Sequence, residues 1–330
     1  MIDKKSYNDR QKIILNTIKD IENYTTISKA AQSYKIMKLL RNECLYVSKE
    51  YLVSANHKAT ATLDPNDEGI KNILLENNLV TEWYPIFANS FGPFNPKAYF
   101  ESSIKILWLL KEPFITKESW VKGDRGGHNQ ALENRLWDNI VNEDNKTLIN
   151  LIKRTKTILN ALNGNQSGNR ISEQDTMNHI CILEVNHFPG LNFKKADSGK
   201  EIGQWAKLNK ELLKKLIGFY APSIIIGGNT IGHFYSNVKN RYINTLQNTV
   251  KDGGVLLEDI GIEVTKIEEP ENSNSYVASG LYIGLKDRVY MIDAYHPCPK
   301  KNKDYEYTDE KAIADAQYIA TLCNKIQTSS

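Results

Sequence analysis

Ile104-Lys-Ile-Leu-Trp-Leu-Leu110 is a short, nearly continuous apolar run, followed at once by Lys111-Glu112-Pro113-Phe114. It is too short for a typical buried helix, and apolar side chains at both parities suit a strand covered on both faces. Three more stretches read the same way: His179-Ile-Cys-Ile-Leu-Glu-Val185, Ser223-Ile-Ile-Ile226 running into Gly227-Gly228, and Val289-Tyr-Met-Ile-Asp-Ala294. Helical patterns separate them, over about 130–143, 147–163 and 201–220, with a short one at about 230–238. In the strongest, Trp205, Leu208, Leu212, Leu213, Leu216 and Ile217 form an apolar stripe, with Lys207, Lys210, Lys214 and Lys215 among the exposed positions. Val264–Ile267 and Tyr276–Ile283 suit an antiparallel pair, and a helix from Thr308 to about Lys325 follows the last strand. Alternation of this kind predicts an α/β fold, with a central, mostly parallel four-stranded sheet and helices on both faces.

Ahead of that region the pattern is helical. Ile13, Ile14, Ile18 and Ile21 recur at helical spacing, and a second helix is expected over about 28–52 on Ile36, Met37, Leu40, Cys44, Val47 and Tyr51. A third opens at Asp64-Pro65, an N-cap followed by proline, and carries Ile70, Ile73, Leu74 and Leu79. Trp83 to Pro96, with Pro85, Gly92 and Pro93, reads as a loop. The expected division is a helical N-terminal extension, 1–95, and an α/β domain, 96–330.

Composition narrows the class. A chain of 330 residues with 41% hydrophobic and 25% charged residues is globular, which excludes disordered, collagen-like and coiled-coil proteins. Lys+Arg at 42 against Asp+Glu at 39 leaves a formal charge of +3, too small for a basic nucleic-acid coat. Cys44, Cys181, Cys298 and Cys323 show neither zinc spacing nor a disulfide framework. The opening stretch MIDKKSYNDRQK is polar, with no secretory apolar core after it, and no run approaches a membrane span. A cytoplasmic protein is expected, with no membrane partner.

Ligands of open parallel sheets bind beyond the carboxyl ends of the strands. There the sequence offers Glu112-Pro113-Phe114 after the first strand and Asn186-His187-Phe188-Pro189 after the second. Gly228-Asn229-Thr230 follows the third, and His296-Pro297-Cys298-Pro299 the fourth. A carboxylate, an amide, two imidazoles and backbone amides thus converge on one edge.

These motifs resemble the uracil-DNA glycosylase superfamily. Its members carry a first motif of the form Gly-x-Asp-Pro-Tyr or Gly-x-Asn-Pro-Gly and a last motif His-Pro-Ser-Pro. Ile182–Asn186 is similar to the family strand whose terminal Asn reads the uracil edge, and Pro222–Gly228 to the strand Pro-x-(apolar)₃-x-Gly. The resemblance covers about 100–322. It implies a DNA-repair hydrolase that cleaves an N-glycosidic bond without a cofactor or metal. Glu112 would stabilise the sugar cation or position water, and His296 would stabilise the departing base. Asn186 would read the base, with Phe114, Pro113 and His187 around it. Gly228, Asn229, Cys298 and Lys300 would meet phosphates, and the loop Gly123-Asp-Arg-Gly-Gly127 is a further candidate.

This chain departs from the family pattern at three points. Leu110 stands where the first motif opens with Gly, and Cys298 replaces the Ser of the last motif. Lys300-Lys301-Asn302-Lys303 occupies the place of the apolar wedge that pries duplexes open. Single-stranded DNA or a nucleotide therefore fits better than a duplex. The alternative is a non-catalytic nucleotide or nucleic-acid binding module of the same fold, and a third reading is an unrelated α/β hydrolase acting on a small metabolite.

Plainer structural readings stand beside these. Glu112 can cap or pair locally beside Lys111, His296 can bond to backbone, and Asn186 can stabilise its own turn. Asp293 reads as structural, or as orienting His296. A metal held by Glu112, Asp124 and His128 has no supporting spacing, and ligand cysteines for an iron–sulfur cluster are absent. For the N-terminal helices, packing on the sheet, binding an unknown partner and lengthening a nucleic-acid groove all remain open.

Overall fold

The computed structural model describes residues 4–42, 44–48, 83–88, 92–110, 132–163, 170–186, 198–228, 230, 261–268, 276–282, 285, 287–294, 297 and 307–327. Its strands are β1 (Cys44–Ser48), β2 (Trp83–Phe87), β3 (Gly92–Pro93), β4 (Ile106–Leu110), β5 (Ile180–Glu184), β6 (Ile224–Gly228), β7 (Ile262–Glu268), β8 (Tyr276–Tyr282) and β9 (Arg288–Ala294). Its helices are α1 (Lys4–Asn23), α2 (Lys29–Arg41), α3 (Pro96–Glu101), α4 (Trp137–Asn142), α5 (Lys146–Leu162), α6 (Glu173–Met177), α7 (Ser198–Tyr220) and α8 (Asp309–Gln327).

The apolar runs become the centre of the sheet. Strands β5, β4, β6 and β9 are neighbours in that order and run parallel, with every described residue of β4 and β6 buried. Among the described residues the sheet has seven strands and is mixed, in the order β3-β5-β4-β6-β9-β8-β7, where a four-stranded sheet was expected. The expected hairpin joins it through β8, antiparallel to β9, and Gly92-Pro93 adds an antiparallel edge on β5. Both additions pair backbone groups that the outermost parallel strands would otherwise expose. Proline is tolerated at position 93 because β3 is an edge.

Pleating sends alternate residues to opposite faces. Ile106, Trp108 and Leu110 join Ile180, Ile182, Ile224, Ile226, Ile292 and Ala294 in a core covered by α5 and α8. The buried indole of Trp108 donates to Thr155 Oγ1 at 2.9 Å, which settles the one polar atom of its large side chain. On α7, Leu212, Leu213, Leu216, Ile217 and Tyr220 are buried, and Tyr220 neighbours Cys181 from outside that first core. Leu208, expected in the stripe, is half-buried, and the side chain of Trp205 lies outside the described residues.

Near the N-terminus the expectations need correcting. Helix α2 is capped at Ser28, whose side chain accepts from the Ala31 amide, and it ends at Arg41 rather than near 52. Cys44–Ser48 is instead a strand, paired antiparallel with Trp83–Phe87, a segment read as loop. The spacing of Cys44 and Val47 suits a helix, but the pairing satisfies the backbone of both segments, and aromatic and β-branched residues favour it. Both strands of such a ribbon are edges, so Pro85 is accommodated. The third expected helix, at 64–79, lies outside the described residues, as does the short helix expected at about 230–238 apart from Thr230.

Helices α1 and α2 pack on the α/β body. Glu22 pairs with Lys215 of α7, Arg41 pairs with Glu133, and Ser33 Oγ lies 3.4 Å from the Tyr220 hydroxyl. Packing is thus one role of the N-terminal helices. Ile14, Ile18 and Ile21 are buried there, while Ile13 is 66% exposed. Gly92 has φ +104°, and a Cβ on it would stand 2.8 Å from Met37 Sδ and 2.9 Å from the Tyr220 hydroxyl. Only glycine lets β3 enter the sheet that close beneath α2 and α7.

Candidate functional site

The four parallel strands end flush. Leu110 of β4 is in register with Glu184 of β5, Leu109 with Gly227 of β6, and Gly228 with Ala294 of β9. At about 4.8 Å between neighbouring strands, the carboxyl ends of β4 and β9 stand roughly 10 Å apart, with β6 between them. Chain order runs outward from β4 to β5 and then returns past β4 to β6. In open α/β sheets, a reversal of this kind between β4 and β6 marks the stretch of carboxyl edge where ligands bind.

Three contacts build this edge. A Cβ on Gly228 would lie 2.8 Å from Leu110 Cδ2 and 3.4 Å from Pro297 Cδ. Gly228 therefore lets the end of β4 and the residue after His296 close over the end of β6. Asn150 of α5 donates from Nδ2 to the Pro297 carbonyl at 2.9 Å. Beneath them, buried Thr230 donates from Oγ1 to the Leu109 carbonyl at 2.6 Å, tying the chain beyond β6 back to β4.

Asn186 lies just past the end of β5 and is 3% exposed. Val185 holds the register there, its amide donating to the Leu110 carbonyl at 2.8 Å. The Val185 carbonyl accepts from Asn209 Nδ2 of α7 at 2.7 Å, and Asn209 Oδ1 accepts from Gln11 Nε2 of α1 at 2.5 Å. Asn209 is fully buried and Gln11 nearly so. Sequence reading passed over all three amides, Asn150, Asn209 and Gln11. The signal was present for two of them: Gln11 falls in line with Ile14, Ile18 and Ile21, and Asn209 with Leu212, Leu213 and Leu216. A polar residue inside an apolar stripe must find a partner across the interface.

One titratable group near the edge is strongly perturbed. Burial, followed by the nearby Asp315 carboxylate, pushes the Asp293 carboxyl up to about 8. Asp315 is itself buried and accepts from the Tyr307 hydroxyl at 2.8 Å. Asp293 is thus largely protonated at neutral pH, three positions before His296. Trp137 is partly buried against the main cluster.

Of the sequence candidates, Asn186 and Gly228 are described and sit at the same sheet edge. Glu112, Pro113, Phe114, His187, Asn229, His296, Cys298 and Lys300 lie outside the described residues, as does the stretch 123–128. Among the described residues, no group of three His, Cys, Asp or Glu side chains could hold a metal ion, and no helix is long and apolar enough to cross a membrane. Comparisons with protein-family models, with curated proteins and with solved structures found no match.

Proposed function

We propose that this protein is a uracil-DNA glycosylase-like hydrolase that cleaves an N-glycosidic bond in single-stranded DNA. The observation that carries the reading is the contact at Gly228. It brings together Leu110, two residues before Glu112, and Pro297, the residue after His296. That closeness supports reading the motifs that follow Leu110 and flank Pro297 as parts of one site.

The chemistry follows from those residue types. The bond between the sugar C1′ and the base nitrogen breaks, and its electron pair leaves with the base. Positive charge develops on the sugar, where the Glu112 carboxylate stabilises it or orients the water that adds at C1′. His296 donates a hydrogen bond to the base oxygen and so stabilises the departing anion, and the proton lost by water balances the charge. Asn186 pairs with the edge of the extruded base, and Phe114 excludes a thymine methyl. Amides at Gly228 and Asn229, with Lys300, meet phosphates. Lysines in place of a wedge favour a substrate that is already single-stranded.

A second reading, a binding module without catalysis, is favoured by one observation. Leu110 stands where the family opens its first motif with glycine, and its side chain packs over Gly228. Base release from uracil-containing single-stranded and duplex oligonucleotides, beside Glu112→Ala and His296→Ala, separates the two. Release by the wild type that both variants lose supports the hydrolase. Oligonucleotide binding without release supports the module.

A further inference from the structure

Three buried amide-bearing groups link the N-terminal helix to the candidate base-reading residue. Gln11 of α1 donates to Asn209 of α7, and Asn209 donates to the carbonyl of Val185, next to Asn186. The direction of this chain is forced. A backbone carbonyl only accepts, so the Asn209 nitrogen must face Val185. Its oxygen then faces Gln11, which must present its own nitrogen. Both side chains sit in interfaces nearly closed to water, where a lost partner is not replaced by solvent.

We infer that Asn209 is a positioning residue for Asn186, and that Gln11 makes helix α1 a working part of the candidate site. The inference rests on the proposed role of Asn186 in reading the base. Val185 is held on one side by β4, through its amide, and on the other by Asn209, through its carbonyl. Clamped on both sides, it fixes where Asn186 begins. The edge amide is thereby set before substrate arrives, so that binding need not order it.

Gln11→Glu tests this at nearly constant size, because a carboxylate cannot donate to Asn209 Oδ1. Gln11→Met does the same without charge and serves if the first variant fails to fold. Amide hydrogen exchange is read at Val185 and Asn186, with Ile106–Leu110 and Ile224–Gly228 as references. Loss of the clamp predicts exchange faster by about tenfold or more at 185 and 186, with the reference strands nearly unchanged. For release of uracil from a single-stranded oligonucleotide, the variant raises KM by about tenfold and leaves kcat within a few-fold, as expected when ground-state and transition-state binding are lost equally. Unchanged exchange at 185 and 186, or a uniform rise over all strands, overturns the inference. So does a fall in kcat at constant KM. If the wild type releases no base, the function reading fails, and the exchange measurement alone decides the clamp.

Discussion

Asn150 Nδ2 reaches across from α5 to the Pro297 carbonyl at 2.9 Å and pins the peptide that follows Pro297. A helix on one face of the sheet thereby holds Pro297, three positions beyond the last parallel strand. Asn150→Ala removes the only donor this contact has. The expected cost is about 1 kcal/mol in stability, the usual net worth of one hydrogen bond. If His296 has its proposed role, activity should fall further than stability, by roughly tenfold or more in kcat, because misplacing a catalytic group by an ångström is costly. Chemical denaturation and steady-state base release measure the two effects on one preparation.

The contact at Gly228 makes a sharper demand. Gly228→Ala puts a methyl group 2.8 Å from Leu110 Cδ2, so the leucine must move. Overpacking of this kind costs about 1–3 kcal/mol. Leu110→Ala alone opens a cavity and costs about 2–5 kcal/mol. Together the two should cost less than their sum, with a coupling of about 0.5–3 kcal/mol in a double-mutant cycle. Strict additivity would mean that the two residues do not touch.

Away from the edge, Thr155 provides a control. It accepts from the buried Trp108 indole and donates back to the Leu151 carbonyl, both at 2.9 Å. Thr155→Val strands the indole N–H in the core and should lower stability by about 1–3 kcal/mol. Base release at a temperature well below the unfolding transition should be unchanged, since neither residue approaches the carboxyl edge.

Asp293 predicts a pH signature. Its carboxyl rises from an ordinary 3.8 to about 8 in the folded state, through burial and then Asp315. Between those values the folded state holds a proton that the unfolded state releases. The stabilising contribution is therefore complete below about pH 4 and is lost as pH rises through about 8. Asp293→Asn should remove that slope, leaving the variant more stable relative to wild type at pH 9 than at pH 5. Thermal unfolding across this range, with Asp315 unaltered, checks the sign.

Much of the fold was legible because continuous apolar runs have few uses. Ile106–Leu110, Ile180–Glu184, Ile224–Gly228 and Arg288–Ala294 could hardly be anything but buried strands, and all four became neighbours. The additions to the sheet were not legible in the same way. Gly92-Pro93 contributes too few residues to show a period, and its place depends on contacts with Met37 and Tyr220 far along the chain. Cys44–Ser48 carried a spacing compatible with a helix, and its partner strand decided otherwise. At the candidate site, Gly228 and Asn186 were singled out from their positions at the ends of strands. Asn209 showed only as a polar residue inside an apolar stripe, and Asn150 acts through the backbone carbonyl of a distant residue, whose need for a donor leaves no trace in the sequence.

The central claim is the proposal that Glu112 and His296 break a bond between base and sugar. Mass spectrometry of a single-stranded oligonucleotide carrying one uracil, after incubation with the protein, tests it most directly. The account predicts a product lighter by one uracil and heavier by one water, with free uracil in equal amount. Glu112→Ala and His296→Ala should each suppress it. An oligonucleotide of unchanged mass after prolonged incubation with folded wild-type protein would contradict the claim.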